Sequence, residues 1–388
     1  MAINNCGVYV HIPFCLSKCA YCDFLSVPYE NGADSGADGD ILKRYTDALI
    51  NEIGACSLLD GRTVDTVYIG GGTPTVLPTE YLAGVLRSIS ERFDIAPGAE
   101  ITVEANPGTV DAGKLSALRG FGANRLSIGL QAWQDKHLRA LGRIHTKDQF
   151  VEAYGAARAA GFDNINADIM FALPGQSHAE WAETLENAVA LAPEHISAYA
   201  LAIEPGTPMG RALEAGRVIP AGEESDRRMY HFARDFLADN GYRQYELSNF
   251  AKCGRESRHN VNCWRRAEYI GFGAGAHSFF RRSPSDHRRF SNTADIGAYI
   301  ENGGVCPGES VRLEKADEMS EFMFLGLRLT DGVGEADFLD SFGIGMGEVY
   351  GRQLAALVAG GLINRGGGNV RLTPLGMDLA NRVFVEFL

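Results

Sequence analysis

Short β-branched, apolar runs alternate with amphipathic segments through the first two-thirds of this chain of 388 residues. The runs are predicted to be strands at residues 8–12, 66–69, 101–104, 125–128, 164–172 and 196–202. Apolar residues recur at the helical period of about 3.6 in segments predicted to be helices at residues 42–53, 114–121, 149–160 and 179–191. This alternation predicts an α/β fold with a parallel sheet and helical crossovers. Six strands predict an incomplete, TIM-like (β/α)6 barrel over residues 1–240, with its chemistry at the C-terminal strand ends.

The alternation lapses beyond about Gly241. Residues 241–310 are predicted to close the barrel, because residues 245–277 are rich in aromatic, His, Asn and Gly residues. Residues 311–388 predict a smaller, winged-helix-like domain. Its elements are helices at 318–327 and 347–359, a turn at 366–368, a strand at 370–372 and a helix from Pro374. A solvated loop is predicted at residues 31–39, which contain several Gly and Asp residues.

Cys15, Cys19 and Cys22 lie within eight residues near the start of the chain. Thiolates are the usual ligands of iron–sulfur clusters, so three of them predict a 4Fe–4S cluster with one iron left open. An open iron could bind a small molecule through an amine and a carboxylate, which S-adenosylmethionine provides. One alternative is a zinc-stabilised barrel with an interaction role, and another is a set of buried structural thiols. Zinc would normally require a further Cys or His in a second pair, and no such pair follows at the usual spacing.

The Cys-x3-Cys-x2-Cys spacing, with Tyr21 directly before the third cysteine, resembles the signature of the radical S-adenosylmethionine (SAM) superfamily. The resemblance implies that the three cysteines bind a 4Fe–4S cluster and that SAM binds beside it. It also implies that the partial barrel has the radical SAM fold. Nearly the whole chain shares this resemblance.

Residues at successive strand ends are candidates for binding SAM. The resemblance implies that Gly71, Gly72 and Thr73 receive the methionyl amino group, although a tight βα turn would also explain glycines there. Glu104 is expected to accept hydrogen bonds from the ribose. The other candidates are Gln131, Arg143 as a partner of the carboxylate, Asp168 inside an apolar strand, and Tyr9 and Tyr21 as rings packing on the adenosine. Each polar residue alone could equally be solvated or salt-bridged, because a buried charge is costly unless it is paired.

Four segments narrow the resemblance to the branch of oxygen-independent coproporphyrinogen III dehydrogenases (oxidases) and heme chaperones: residues 166–176, 195–199, 245–250 and 271–278. Phe24 stands where the dehydrogenase pattern has a cysteine, and only eight residues precede Tyr9, where the dehydrogenase has a long extension. The resemblance therefore implies a chaperone that binds a cluster, SAM and heme and delivers heme to acceptor apoproteins. The alternative is oxidative decarboxylation of coproporphyrinogen III, so whether the chain is an enzyme stays open.

The chaperone pattern His-Asn-x-x-Tyr-Trp occurs at residues 259–264, with Cys263 in the tyrosine position. His, Tyr and Cys can each ligate heme iron, and His259 is a candidate axial ligand. The alternative is a histidine that hydrogen-bonds a neighbouring strand, and Cys263 is expected to be a packing thiol. Basic residues for heme propionates could come from a run that would otherwise be a solvated face: Arg281, Arg282, His287, Arg288 and Arg289.

The composition and net charge of the chain indicate which binding partners and which cellular location to expect. The chain has 49 acidic and 36 basic residues and a net charge of −13, which argues against binding nucleic acid. No signal peptide is recognisable at residues 1–6, and no run of eighteen apolar residues occurs. Eight cysteines then indicate a cytoplasmic protein with ligand or packing thiols. The expected partners are heme or a porphyrinogen, acceptor apoproteins that could include membrane-bound ones, and a second copy in a homodimer.

Overall fold

The computed structural model describes residues 5–29, 41–283 and 285–388. The predicted loop at 31–39 lies outside the described residues. Twelve strands form the main sheet: β1 Asn5–Ile12, β2 Thr63–Gly71, β3 Asp94–Ala105, β4 Arg125–Gln131, β5 Ile165–Phe171, β6 His195–Ala200, β7 Arg243–Gln244, β8 Asn249–Ala251, β9 Tyr269–Phe272, β10 His277–Ser283, β11 Asp286–Asn292 and β12 Pro307–Arg312.

The strand order in this sheet is β12-β11-β10-β9-β1-β2-β3-β4-β5-β6-β8-β7. Strand β9 and strands β1 to β6 run parallel to one another, and the other pairings in the sheet are antiparallel. The α/β class and all six predicted strands are therefore confirmed. The seventh parallel strand, β9, falls inside the predicted closing segment and joins that segment to the barrel through β1.

Helices lie between the strands of this sheet. They are α1 Ile41–Ala55, α2 Thr79–Arg92, α3 Ala112–Gly120, α4 Asp135–Ala140, α5 Lys147–Ala159, α6 His178–Ala190, α7 Pro208–Glu214, α8 Glu223–Asp239, α9 Arg258–Trp264 and α10 Ile296–Glu301. Those from α1 to α6 connect its parallel strands. Helices α5 and α6 begin with capping boxes, formed by Thr146 with Gln149 and by Ser177 with Glu180. Each box satisfies backbone N–H groups that the first helical turn leaves unpaired.

The two faces of the parallel strands differ in polarity because alternate residues point to opposite sides. Val8, Val10 and Ile12 of β1 are buried in the main hydrophobic core, which the connecting helices also enter. The other face carries polar residues in register, for example Tyr68 beside Thr102 and Thr102 beside Arg125. The barrel interior is therefore polar, and its upper end forms the candidate site.

The C-terminal part has its own hydrophobic core. Its elements are α11 Lys315–Gly326, β13 Val333–Gly334, α12 Glu335–Phe342, α13 Met346–Ala359, β14 Ile363–Gly366, β15 Asn369–Leu372, α14 Pro374–Asp378 and α15 Ala380–Val385. The strands form a small sheet in the order β13-β15-β14. Helices followed by a small antiparallel sheet agree with the winged-helix-like prediction, although α12 was not predicted.

The basic run on β10 and β11 packs against acidic residues of α11. Arg289 donates two hydrogen bonds to Glu321, and the His287 ring is hydrogen-bonded to Glu318. Arg266, which is 5% exposed, bonds to both glutamates. Much of this run therefore joins the main sheet to the C-terminal part. Among the described residues, no helix has the length and apolar character needed to cross a membrane.

Candidate functional site

A cavity of about 370 Å³ opens at the C-terminal ends of the parallel strands. This volume falls within the usual range for small-molecule sites. Besides Asp168, its lining includes ten of the predicted cluster and SAM residues, which makes eleven in all: Cys15, Cys19, Tyr21, Cys22, Gly71, Gly72, Thr73, Glu104, Gln131 and Arg143. Tyr9 and His259 do not line it. Residues far apart in sequence therefore meet at one site, as strand-end positions predict.

The cysteine loop forms one wall of the cavity. Residues Phe14–Cys15 pair with Val27–Pro28 as two short parallel strands, which fixes Cys15, and the Cys22 N–H donates to the Cys19 carbonyl at 3.3 Å. All three thiols are free. Burial raises the pKa of the Cys15 and Cys22 thiols, whereas coordination to iron would stabilise thiolates.

The three thiols have the chemistry of cluster ligands. A four-iron cluster offers separate iron atoms to separate thiolates, and Cys15, Cys19 and Cys22 all line the same cavity. They are therefore a suitable ligand set for a cluster. Among the described residues, no three His, Cys, Asp or Glu side chains are grouped around a site for one metal ion.

The glycine segment after β2 packs directly on the cysteine loop. The Gly72 N–H donates to the Ile12 carbonyl and the Thr73 N–H to the Phe14 carbonyl, both at 2.8 Å. A Cβ atom on Gly72 would lie 2.7 Å from the Phe14 oxygen, and one on Gly71 would lie 2.5 Å from the His11 ring. Gly71 also has a φ of 109°, which side chains disfavour. Close backbone approach, and not only turn geometry, therefore requires these glycines.

Glu104 is held from two sides at the end of β3. Its Oε1 accepts a hydrogen bond from the Tyr68 hydroxyl at 2.6 Å, and its Oε2 accepts one from the Gly71 N–H at 3.2 Å. Burial raises the pKa of Glu104 to about 7, although these hydrogen bonds oppose the rise. A carboxylate fixed in this way is suited to accept hydrogen bonds from two neighbouring hydroxyls of a ligand.

Gln131 and Arg143 also line the cavity. Gln131 has a φ of 67°, a left-handed conformation that is uncommon for a non-glycine residue. Arg143 donates to the Asn106 side chain, to the Gly129 carbonyl at 3.2 Å and to the Cys19 sulfur at 3.5 Å. The guanidinium therefore connects the cysteine loop to two strand ends and presents positive charge to the cavity.

Asp168 reaches the cavity from β5. Its Oδ2 accepts a hydrogen bond from the Ser127 hydroxyl and its Oδ1 accepts one from the Asn166 amide, both at 2.8 Å. Burial raises the pKa of Asp168, and these hydrogen bonds act in the opposite direction. The predicted cost of a charge inside an apolar strand is thus offset by two neutral donors.

Of the three remaining candidates, Tyr21, Tyr9 and His259, only the first lines the cavity. Tyr9 stacks behind Tyr68 with ring centroids 6.3 Å apart. His259 lies deeper in the barrel, with its Nδ1 hydrogen-bonded to the Thr66 hydroxyl at 3.0 Å and its ring stacked on Tyr68. Burial lowers the pKa of His259 to about 4. This environment matches the alternative of a hydrogen-bonded core histidine, and heme ligation by His259 stays a prediction.

Cys263 lies on α9, the helix that also contains His259. Burial raises the pKa of its thiol to about 11, which is consistent with a packing thiol.

The cavity also contains residues that the sequence analysis did not single out: Tyr68, Asn106, Ser127, Met170 and Tyr199. Their common signal is a position within a predicted strand or, for Asn106, two residues after one.

Comparison with known proteins places this geometry in a family. Residues 9–188 match the radical SAM superfamily, and residues 313–379 match the HemN C-terminal domain. The solved structure of coproporphyrinogen III oxidase (HemN) from Escherichia coli has a TM-score of 0.83 at 22% identity, covering 99% of this chain and 89% of that one. At this identity the likeness shows the fold alone. The radical SAM fold is therefore confirmed.

Sequence relatives extend over the whole chain. The heme chaperone HemW of Bacillus subtilis is 35% identical over 386 residues, covering 98% of this chain and 99% of that protein. The heme chaperone HemW of Escherichia coli is 33% identical, and the match covers 98% of each protein. Membership of the radical SAM superfamily implies a 4Fe–4S cluster and SAM. This full-length similarity shows that the chain belongs to the HemW family of heme chaperones within the radical SAM superfamily.

Proposed function

We propose that this protein binds heme and delivers it to acceptor proteins, with a 4Fe–4S cluster and SAM bound in its barrel. The observation that carries the proposal is the similarity to heme chaperones along the entire chain, from the cysteine loop to the C-terminal domain.

Cys15, Cys19 and Cys22 are the proposed cluster ligands, supported by their common position on one cavity wall. When bound, such a cluster supplies an open iron site and an electron. Arg143 stands beside Cys19 and would offset the negative charge that three thiolates bring. Its charge also suits the SAM carboxylate.

The other cavity residues are assigned to SAM by their hydrogen-bonding capacity. The backbone of Gly71, Gly72 and Thr73 would receive the amino group beside the cluster, and Glu104 would accept from the ribose hydroxyls. Gln131 and Asp168, which also line the cavity, would bind other polar groups of the ligand. Tyr21 would pack on the adenosine, and Tyr9 would support this packing through its stacking on Tyr68.

Phe24 favours heme transfer over decarboxylation of a porphyrinogen. It occupies the position of a cysteine in the dehydrogenase pattern and is 63% exposed on the rim of the cavity. The proposed acceptors are apoproteins, including membrane-bound ones, that meet the chaperone in the cytoplasm. A reducing compartment suits the free thiols, and a homodimer is part of the same proposal.

An anaerobic heme titration of cluster-reconstituted protein tests this function. A saturable one-to-one change in the visible spectrum, followed by loss of that spectrum on adding an apo acceptor, is the expected result. A response that never saturates would overturn the proposal. Conversion of coproporphyrinogen III to protoporphyrinogen under reducing conditions would then establish the decarboxylase alternative.

Two variants separate ligation by His259 from its packing role. His259→Ala removes the imidazole, whereas Thr66→Val removes only its hydrogen-bond partner. If His259 is an axial ligand, the first variant should change the heme spectrum and the second should retain it. Equal weakening of heme binding by both variants would instead indicate that His259 acts through packing.

A further inference from the structure

A chain of hydrogen bonds extends from Asp168 into the barrel, away from the cavity. Asp168 accepts from Ser127 and Asn166, and the Asn166 amide also donates to the Ser127 hydroxyl at 2.7 Å. Both bonds from Asn166 use its Nδ2, because a carboxylate can only accept. The Oδ1 of Asn166 must therefore face the other way, toward β6.

His195 meets that oxygen. Its Nδ1 lies 2.6 Å from the Asn166 Oδ1, and the ring is completely buried. Since an amide oxygen only accepts, the proton must reside on Nδ1. Burial lowers the pKa of His195 well below its usual value, so the ring is neutral and Nε2 is an acceptor.

Tyr245 completes the chain. Its hydroxyl lies 2.8 Å from the His195 Nε2 and therefore donates to it. The same hydroxyl oxygen accepts from the backbone N–H of Ser257 at 3.3 Å, and Ser257 caps the N-terminus of α9. Every donor between Ser257 and Asp168 consequently points toward the Asp168 carboxylate, and hydrogen bonds aligned in this way strengthen one another.

We propose that His195 and Tyr245 are positioning residues for the SAM pocket. The Tyr245 hydroxyl and the Asn166 oxygen together select the His195 tautomer. The His195 N–H, with the Ser197 hydroxyl, holds the Asn166 amide in its orientation, and that amide holds Asp168 ready to bind SAM. The inference rests on the proposed placement of SAM beside Asp168. It gives a physical reason for His195 in the segment 195–199 and for Tyr245 in the segment 245–250, neither of which lines the cavity.

SAM affinity, measured by calorimetry on cluster-reconstituted protein, tests the inference. Tyr245→Phe removes the first side-chain donor with little change in volume and should weaken SAM binding roughly three- to tenfold, the scale of one hydrogen bond. Tyr242→Phe is the matched control, because its buried hydroxyl donates to the carbonyl of Pro193, two residues before His195, but does not join the chain. The control should bind SAM as the parent does.

A double-mutant cycle with Asp168→Asn separates positioning from general loosening. If Tyr245 acts through Asp168, Tyr245→Phe should have little further effect in the Asp168→Asn background. An equal loss in both backgrounds, or a loss no greater than that of Tyr242→Phe, would overturn the inference. Should Tyr245→Phe not fold, His195→Asn and His195→Ala replace it, since the asparagine amide can keep a donor beside Asn166 and alanine cannot.

The same measurements distinguish failure of the inference from failure of the proposed function. If the parent protein does not bind SAM, both are overturned. If the parent binds SAM but Asp168→Asn binds it equally well, SAM does not bind beside Asp168. The inference is then wrong, whereas the proposed heme transfer is unaffected. If only Asp168→Asn weakens binding, the inference alone is wrong.

Discussion

The Tyr68 hydroxyl donates a hydrogen bond to the Glu104 carboxylate at 2.6 Å, across neighbouring strands and at the floor of the cavity. The Tyr68 ring also stacks on the Tyr9 ring and on the His259 ring. The tyrosine therefore connects the upper cavity to the deeper part of the barrel that contains His259. Its hydroxyl fixes one oxygen of Glu104 while the other meets the Gly71 N–H.

Glu104 should make SAM binding depend on pH. Its pKa is raised to about 7, chiefly by burial, so acidification below neutrality converts the acceptor carboxylate into an acid. SAM affinity should therefore fall as pH decreases through about 7. Glu104→Gln should bind SAM more weakly and lose this dependence on pH, whereas Glu80→Gln, on the exposed start of α2, should retain the parental profile. Calorimetric titrations between pH 6 and about 8 would test this, and an unchanged profile in Glu104→Gln would contradict it.

The stability of the ligand-free protein should change in the opposite direction. A carboxyl with a raised pKa binds its proton more tightly in the folded state than in the unfolded state. The contribution of Glu104 to the free energy of unfolding should therefore decrease as pH rises from 4.5 through about 7. Urea unfolding of the parent and of Glu104→Gln across this range should show a smaller decrease in the variant.

Cluster content should depend on Cys19 and not on cysteines elsewhere. Cys19→Ala removes one thiol of the cavity wall and should lose most of the iron and sulfide after reconstitution. Cys253→Ala is the matched control, because Cys253 is exposed and lies outside the cavity. Iron and sulfide analysis, with the visible absorption of the cluster, provides the measurement. Full cluster content in Cys19→Ala would rule out the assigned ligand set.

Gly72→Ala should damage the same site without removing any ligand. The added Cβ would lie 2.7 Å from the Phe14 oxygen and 3.1 Å from the Cys15 sulfur, so the cysteine loop must move. We expect reduced cluster content and a lower melting temperature. Gly108→Ala, which adds a methyl group with no atom within 4 Å, should leave both unchanged. Equal behaviour of the two variants would show that the loop tolerates the displacement.

The sequence predicted the barrel well because each of its strands carries a local signal. Residues 125–128 were predicted as a strand, and β4 extends over Arg125–Gln131. Positions such as Glu104 and Asp168 could be grouped into one site because parallel strands end on the same side of a sheet. The four-residue strand β9 carried too short a signal among glycine and aromatic residues. Its position depends on long-range pairing with β1.

Local sequence patterns could not predict contacts between segments that are far apart in the chain. His259 belongs to a recognisable motif, yet its burial beside Thr66 depends on how α9 packs into the barrel. The basic run was expected to be solvated or to meet heme propionates. Instead, Arg289 and His287 bond to glutamates of α11, because strands β10 and β11 lie next to that helix.

The pairing of Glu321 with Arg266 and Arg289 should contribute strongly to stability. Their ion pairs are largely buried, with side-chain exposures of 5% for Arg266 and 11% for Glu321. Glu321→Gln would leave the Arg266 charge partly uncompensated, and breaking a buried pair in this way typically costs about 3–5 kcal/mol. We expect a loss near the lower limit, about 3 kcal/mol, because Arg266 retains Glu318.

Glu335→Gln provides the comparison for that loss. Glu335 pairs with Arg365 in the C-terminal part at 2.8 Å, but the two side chains are 33% and 37% exposed. An exposed pair contributes about 0–1 kcal/mol, so this variant should unfold in urea almost as the parent does. High salt should weaken the exposed pair further and affect the buried pair little. Similar shifts of the urea midpoint in the two variants would mean that the buried glutamate is not an important link between the main sheet and the C-terminal part.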